Sequence, residues 1–323
     1  MHGRAWVLGL FFCMGAGTFS QSSLSYSPLE IRNERSLQLP FFRFVMRGRV
    51  LSPDEKTWSV RWDESNDFRV IRNGLGQEVL REDQETTRFT FTQRKGLGNG
   101  LEAWLELPVE NRGGGFMDPL INWWHEHVLR SYHPGRENSP LGQSVIRYAE
   151  ADYSGDQFGI GDVSVGLRKT LGRRWTAEAA LKLPTGDSGR LLGSGAADLG
   201  IALNYTVPLG TKWTAYGQAG AIWQGKGRIA NARSLAHEEN IAVIWHPNNR
   251  DAWVLQWNSD SAAIQTGLAE SDSTHRILTA GYERQLTRNR RLDLYFSENN
   301  DFLREVTGIG PDFSIGAMLT LRF

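Results

Sequence analysis

The chain has one cysteine in 323 residues, no net charge, and no apolar run past its N-terminus near the ~20 residues a membrane-spanning helix needs. Each of these absences excludes something. Thirty-six Lys and Arg are balanced by 36 Asp and Glu, so no excess of positive charge exists to neutralise phosphates, and a nucleic-acid binder is excluded. A mean hydropathy of −0.41 without long apolar runs excludes a polytopic helical membrane protein. What is plentiful is glycine, at 35 residues, and tryptophan, at 12, in a chain long enough for two soluble domains or one large barrel. A soluble all-β protein and a transmembrane β-barrel remain, the latter giving only a weak signal per strand.

The N-terminus has the layout of a secretory signal. His2 and Arg4 make a short basic start, Ala5 to Met14 is apolar, and Gly15 to Ser20 is mostly small and polar. Cleavage is expected after Ser20, which removes Cys13 and leaves a mature chain without cysteine. An exported protein without disulfides fits an outer-membrane barrel, whose closed sheet needs no covalent staple.

Period-two alternation runs through most of the chain. At the C-terminus Phe313, Ile315, Ala317, Leu319, Leu321 and Phe323 alternate with Asp312, Ser314, Gly316, Met318, Thr320 and Arg322. A strand that ends flush on an aromatic residue resembles the closing strand of bacterial outer-membrane barrels. That likeness implies that Phe323 helps the barrel assembly machinery recognise the chain. About twelve strands are expected: 57–70, 85–95, 100–109, 160–171, 174–184, 196–208, 212–224, 238–246, 251–262, 275–286, 291–300 and 311–323.

Loop lengths alternate too. Short connections follow the even-numbered strands, as at Gly172–Arg173, Leu209–Thr211 and Pro247–Arg250, and longer ones intervene. Short periplasmic turns and long outer loops are the rule for these barrels, whereas a soluble sandwich has no reason to sort its loops by parity. On this reading Arg173 and Asn289 face the periplasm, Asp187 and Arg228 face outside, and residues 21–56 form a periplasmic N-terminal segment ahead of a barrel at 57–323. Trp175, Trp213 and Trp253 open strands beside short turns and Trp223 ends one on the other side, as two aromatic girdles would require.

The chemistry-bearing patterns are weak by comparison. Gly96 to Gly100 and Gly159 to Asp162 open no helix with a following Lys-Ser/Thr, so they read as a tight turn and a strand entry, not phosphate loops. His125-Glu126-His127 with His133 lacks the spacing of a metal motif, and no Ser–His–Asp signature appears, so neither a metal, a cofactor nor a catalytic residue is assigned. The expected inward set carries both signs: Arg61, Glu102, Glu106, Asp162, Arg168, Glu178, Lys182, Asp198, Glu283, Asp293 and Arg322. Such charges line a water-filled channel or pair across the lumen and block it. In the longest connection, Asp118-Pro119 is a helix-start signal, and Leu120, Ile121, Trp124 and Val128 form an apolar stripe over about 119–131. An uncovered stripe is sticky, so this loop is expected to fold inward and gate the lumen.

Several segments together resemble a family of Gram-negative outer-membrane proteins known only as a domain of unknown function. They are Pro28 to Asn33, Gly114 to Asp118 followed by Trp124-His125, Gly159 to Asp162, Leu181 to Asp187, Gly193 to Leu199, and Pro311-Asp312-Phe313. The resemblance covers nearly the whole mature chain. The Gly-x-Gly-Asp and Leu-Pro-Thr-Gly-Asp pieces are also similar to outer-membrane transporters of phenol-degradation pathways. These likenesses imply an all-β transmembrane antiparallel barrel surrounded by outer-membrane lipid. The expected function is passive passage of a small, aromatic or apolar solute. A closed barrel of structural or interaction role is the alternative, and a lipid hydrolase using one of the six mature histidines is a third reading.

Overall fold

The computed structural model describes residues 26–124, 126–127, 139–299 and 310–323. The leader, Val128, His125 and His133 lie outside the described residues. The chain begins its wall with β1 (Lys56–Arg72), β2 (Glu78–Gly98) and β3 (Leu101–Gly113). Helix α1 (Asp118–Trp124) and three short strands follow, β4 (Val145–Tyr148), β5 (Ala151–Asp152) and β6 (Gln157–Ile160). Next come β7 (Ser164–Thr170), β8 (Trp175–Lys182), β9 (Asp198–Pro208) and β10 (Trp213–Gln224). The last five are β11 (Leu235–Trp245), β12 (Asp251–Asp260), β13 (His275–Thr287), β14 (Arg290–Asn299) and β15 (Phe313–Arg322).

The twelve long strands form a closed antiparallel barrel. β1 pairs with both β2 and β15, and β3 pairs with both β2 and β7, so the sheet has no open edge. Closure satisfies the backbone from within the wall, the condition for lying in hydrocarbon. β4 pairs with the outer end of β2, and β6 continues the line of β7 along β3, raising the wall at the long-loop end. Arg173 and Asn289 sit in short turns at one end, and Asp187 and Arg228 sit in loops at the other.

The two faces of the wall differ as period two demands. Leu199, Ile201, Leu203, Leu255, Leu294 and Leu319 are exposed on the outside, while the intervening charged and amide side chains are buried inside. Trp175, Trp213 and Trp253 lie exposed at the short-turn end and Trp223 at the other.

Two expectations fail. Residues 27–48, expected to lie in the periplasm, are almost continuously buried inside the barrel. They form a hairpin that rises through the lumen, turns at 36–40 and descends to Lys56 at the start of β1. The long loop expected to plug the lumen instead lays α1 against the outside. Met117 and Ile121 pack with Phe313, Phe296 and Ile315, and Trp124 meets the Phe296 ring at 6.0 Å between centroids. Those three phenylalanine and isoleucine side chains belong to the outward set of β14 and β15. The apolar stripe did need cover, but the lumen was already occupied.

Candidate functional site: the occluded lumen

The site is the hairpin and the wall that holds it. Pro28 and Pro40 lack N–H donors, and the two arms make few backbone bonds to each other; the turn is closed by Gln38 and Leu39 N–H to the Arg35 carbonyl. The remaining donors need other partners, because a buried N–H without one is costly. The wall supplies them mainly as carboxylates. Ser36 N–H donates to Asp67 at 2.6 Å, Phe42 to Asp198 at 2.9 Å, Phe44 to Glu238 at 3.2 Å, Ser27 to Glu283 at 3.4 Å and Leu51 to Glu102 at 2.8 Å. Leu29 N–H uses Gln256 at 3.1 Å.

Side-chain ion pairs add a second set. Arg35 forks onto Glu82 at 2.8 Å. Arg47 reaches Glu178 at 3.0 Å, Glu30 at 3.1 Å and Glu106 at 3.2 Å, and lies 4.3 Å over the Trp104 ring. Arg32 also contacts Glu106, and Arg43 approaches Asp260 at 3.5 Å. Wall cations answer in kind: Arg168 donates to the Gly48 carbonyl at 2.8 Å, Arg61 to the Glu30 carbonyl, and Lys182 to the Pro40 carbonyl at 3.0 Å. Charge-assisted bonds of this type are stronger than neutral ones.

Of the eleven expected lumen residues, Arg61, Glu102, Glu106, Arg168, Glu178, Lys182, Asp198 and Glu283 therefore touch the hairpin rather than line a water channel. Arg322 pairs with Glu55 at 3.1 Å, just before β1. Asp293 pairs with Arg291 at 2.8 Å within the wall. Asp162, at the break between β6 and β7, binds Lys182 and the Gly186 and Ser194 N–H groups. Sequence reading missed the hairpin arginines and Asp67, Glu82, Glu238 and Asp260. The available signal was the density of charge in Glu30 to Arg47, inside a segment otherwise rich in Leu and Phe.

Two apolar contacts complete the closure. Midway, Phe42 and Phe44 meet edge to face at 4.8 Å and pack with Trp104 on Ala180, Ala202, Ile222 and Ala236. Gly200 faces them, and a Cβ there would lie 2.8 Å from both rings, so the wall is thinned to admit the aromatics. At the long-loop end Leu37 and Phe41 form a stopper with Leu80, Ile146, Tyr148, Leu191, Ile229 and Ile264. At the short-turn end Tyr26 bonds the Asn248 carbonyl and stacks on His246.

No group of His, Cys, Asp and Glu that could hold a metal occurs among the described residues. His275 has Asp260 at 3.3 Å on Nδ1, as a triad histidine would, but Arg35 stands at 3.2 Å from Nε2 where a serine would have to be.

Residues 11–323 match the family described as a protein of unknown function (DUF3187). No curated protein sequence matches the chain. Among solved structures, the COG4313 outer membrane channel from Pseudomonas putida F1 is similar with a TM-score of 0.57 at 15% identity, over 85% of this chain and 97% of that one. The P. putida toluene transporter TodX follows at 0.44 and 12%, over 84% and 90%, and the Ralstonia pickettii toluene transporter TbuX at 0.43 and 10%, over 94% and 96%. The first supports the outer-membrane barrel fold; the scores of the other two carry no argument.

Proposed function

The chain belongs to the DUF3187 family, and from that premise we propose that it is an outer-membrane channel for a small solute, held closed by its own N-terminal hairpin. The observation that carries this reading is the hairpin itself, a separate element bonded to a barrel whose closed sheet takes no strand from it. The similar barrel from P. putida is an outer membrane channel, which agrees with passage. Opening requires the hairpin to shift. The apolar stretch of inner wall under Phe42 and Phe44 supports an aromatic or apolar solute, since displacement of those rings exposes Ala180, Ala202 and Ile222. Residues 1–20 act as the cleaved leader in this account, and Phe323 as the assembly signal.

A second reading is favoured by the same ion pairs: a permanently closed barrel of structural or interaction role. Solute entry into liposomes carrying the full-length protein or the chain lacking residues 27–48 separates the two. Entry of a small aromatic solute through the chain lacking residues 27–48, above the rate of protein-free liposomes and of the full-length protein, supports the channel. No entry, with the full-length chain or with one lacking residues 27–48, supports the closed barrel.

A further inference from the structure

The outer wall is unequal around its circumference. On β10 the outward residues Trp213 and Trp223 are ten positions apart. At ~3.3 Å per residue and a strand tilt near ~40° they stand ~25 Å apart in height, the expected thickness of the apolar belt. On β1 the outward apolar run is only Trp58, Val60 and Trp62, which climbs ~10 Å by the same geometry. Above it come Glu64 and Asn66, and across the ladder from Asn66 stands Glu85 of β2. Polar side chains would thus face lipid within the upper part of the belt.

They do not: all three are buried, and the loop after β3 bonds to Asn66 and Glu85. Glu64, Asn66 and Glu85 are each 1–2% exposed. Glu85 accepts the N–H groups of Phe116, Met117 and Asp118 at 2.6, 2.7 and 3.0 Å. Asn66 donates to Asp118 at 3.0 Å, and Gly142 N–H returns to the other Asp118 oxygen at 2.8 Å. Beside this polar seam, Met117 and Ile121 press on Phe313. The face of the cover turned away from the barrel is apolar at Phe116, 69% exposed, Leu120, 49%, and Trp123, 51%, and it ends at the exposed Glu126 and His127, whose ring stacks on Trp123 at 5.5 Å.

We propose that α1 and the residues leading into it complete the lipid-facing belt, with Phe116, Leu120 and Trp123 seated among the acyl chains of the leaflet on the long-loop side. The occupant is lipid because the cover is continuous with Phe296, Ile315 and Phe313 of the lipid-facing wall and stands where that wall loses its apolar height. The loop is then a membrane contact that seals a polar seam.

Single-cysteine variants test this in a Cys13→Ser background. Leu120→Cys and Trp123→Cys are labelled with an environment-sensitive fluorophore and reconstituted in phosphatidylcholine vesicles, with Leu75→Cys at the β1–β2 turn as the aqueous control. Heat-dependent gel mobility verifies folding, and Phe116→Cys replaces either variant that folds poorly. The expected result is blue-shifted emission at 120 and 123, quenched by nitroxide-bearing phosphatidylcholine and insensitive to iodide, with the opposite behaviour at 75. Iodide quenching at 120 and 123 equal to that at 75 overturns the proposal. So does a blue shift without lipid quenching, which would mean that protein, including a second copy of this chain, covers the face.

Discussion

One described segment lies inside the barrel wall and another against its outside; both hang by backbone N–H groups on wall carboxylates, and they differ in what surrounds them. The inner hairpin is fixed by carboxylates that accept its N–H groups and by arginines forked onto buried acids. The outer cover is fixed by Glu85, by Asn66 donating to Asp118, and by apolar contact with Phe296, Phe313 and Ile315, and it turns its remaining apolar surface outward. The contrast follows from what each side must tolerate. The lumen accepts charge only in pairs, whereas lipid accepts almost none, so polar groups on the outer wall must be buried under something. The hairpin joins paired charges and apolar contacts in a bore that offers both; the cover is a polar seam under an apolar skin.

The comparison breaks most severely at Arg47, which serves Glu30, Glu106 and Glu178 together. Arg47→Met leaves buried acids without their shared cation and should cost about 3–5 kcal/mol, the scale for removing one partner of a buried pair. Denaturant unfolding of the barrel in detergent should show the loss, accompanied by spontaneous openings in bilayer recordings. An unchanged midpoint with a silent bilayer would mean that the ion pairs do not hold the hairpin.

Gly200→Val probes the apolar part of the same contact. The added Cβ meets Phe42 and Phe44 at 2.8 Å, and overpacking of this kind costs about 1–3 kcal/mol. Because the strain falls on the hairpin, open time should rise while the barrel still shows heat-dependent mobility; a silent, equally stable variant would show that the rings move aside freely.

On the outer side, Glu85→Ala removes the acceptor of three N–H groups, worth about 1–3 kcal/mol in all. Faster proteolysis within residues 114–124, at unaltered conductance, is the expected result. Conductance that changes with Glu85 would tie the cover to the lumen and erase the distinction drawn between the two segments.

Phe323→Ala should matter least to the folded state, since the ring is 56% exposed and meets Trp58 edge-on at 5.8 Å, while the two backbone bonds with Lys56 are kept. A stability change below about 1.5 kcal/mol is expected from the loss of one aromatic pair. The amount of barrel reaching the outer membrane should fall instead, and undiminished yield would remove its role in assembly.

The barrel was legible because its rules are local. Alternation in β8–β10 and β15 and the parity of loop lengths place strand after strand without reference to the rest of the chain. β2 was drawn too short, at 85–95 against Glu78–Gly98, because Arg81-Glu82-Asp83-Gln84-Glu85 does not alternate, and neither does Asp63-Glu64-Ser65-Asn66-Asp67 of the neighbouring β1. Asp67 faces the hairpin while Asn66 faces the cover, so both sides of that stretch are polar for separate reasons. The hairpin was illegible because its donors bond to the wall across 31 to 256 residues of sequence, which leaves no period to read. Of the expected stripe of Leu120, Ile121, Trp124 and Val128, Ile121 and Trp124 pack on the outer wall and Leu120 stays exposed, with Val128 outside the described residues; nothing in the pattern distinguishes a lumen from an outer wall. The mixed signs of Glu102, Glu106, Arg168 and Lys182 left a lined channel and a paired, blocked lumen equally open, and their partners on residues 30–51 came into view only with the fold.

The central claim is that residues 27–48, and not the long loop, close the lumen. Planar-bilayer conductance of two folded deletion variants, one lacking 27–48 and one lacking 116–144, decides it. The account predicts stable open channels from the first, and from the second the same closed behaviour as the full-length barrel. Open channels from the second alone would contradict it, and equal conductance from both deletions and the full-length chain would show that neither segment closes the lumen.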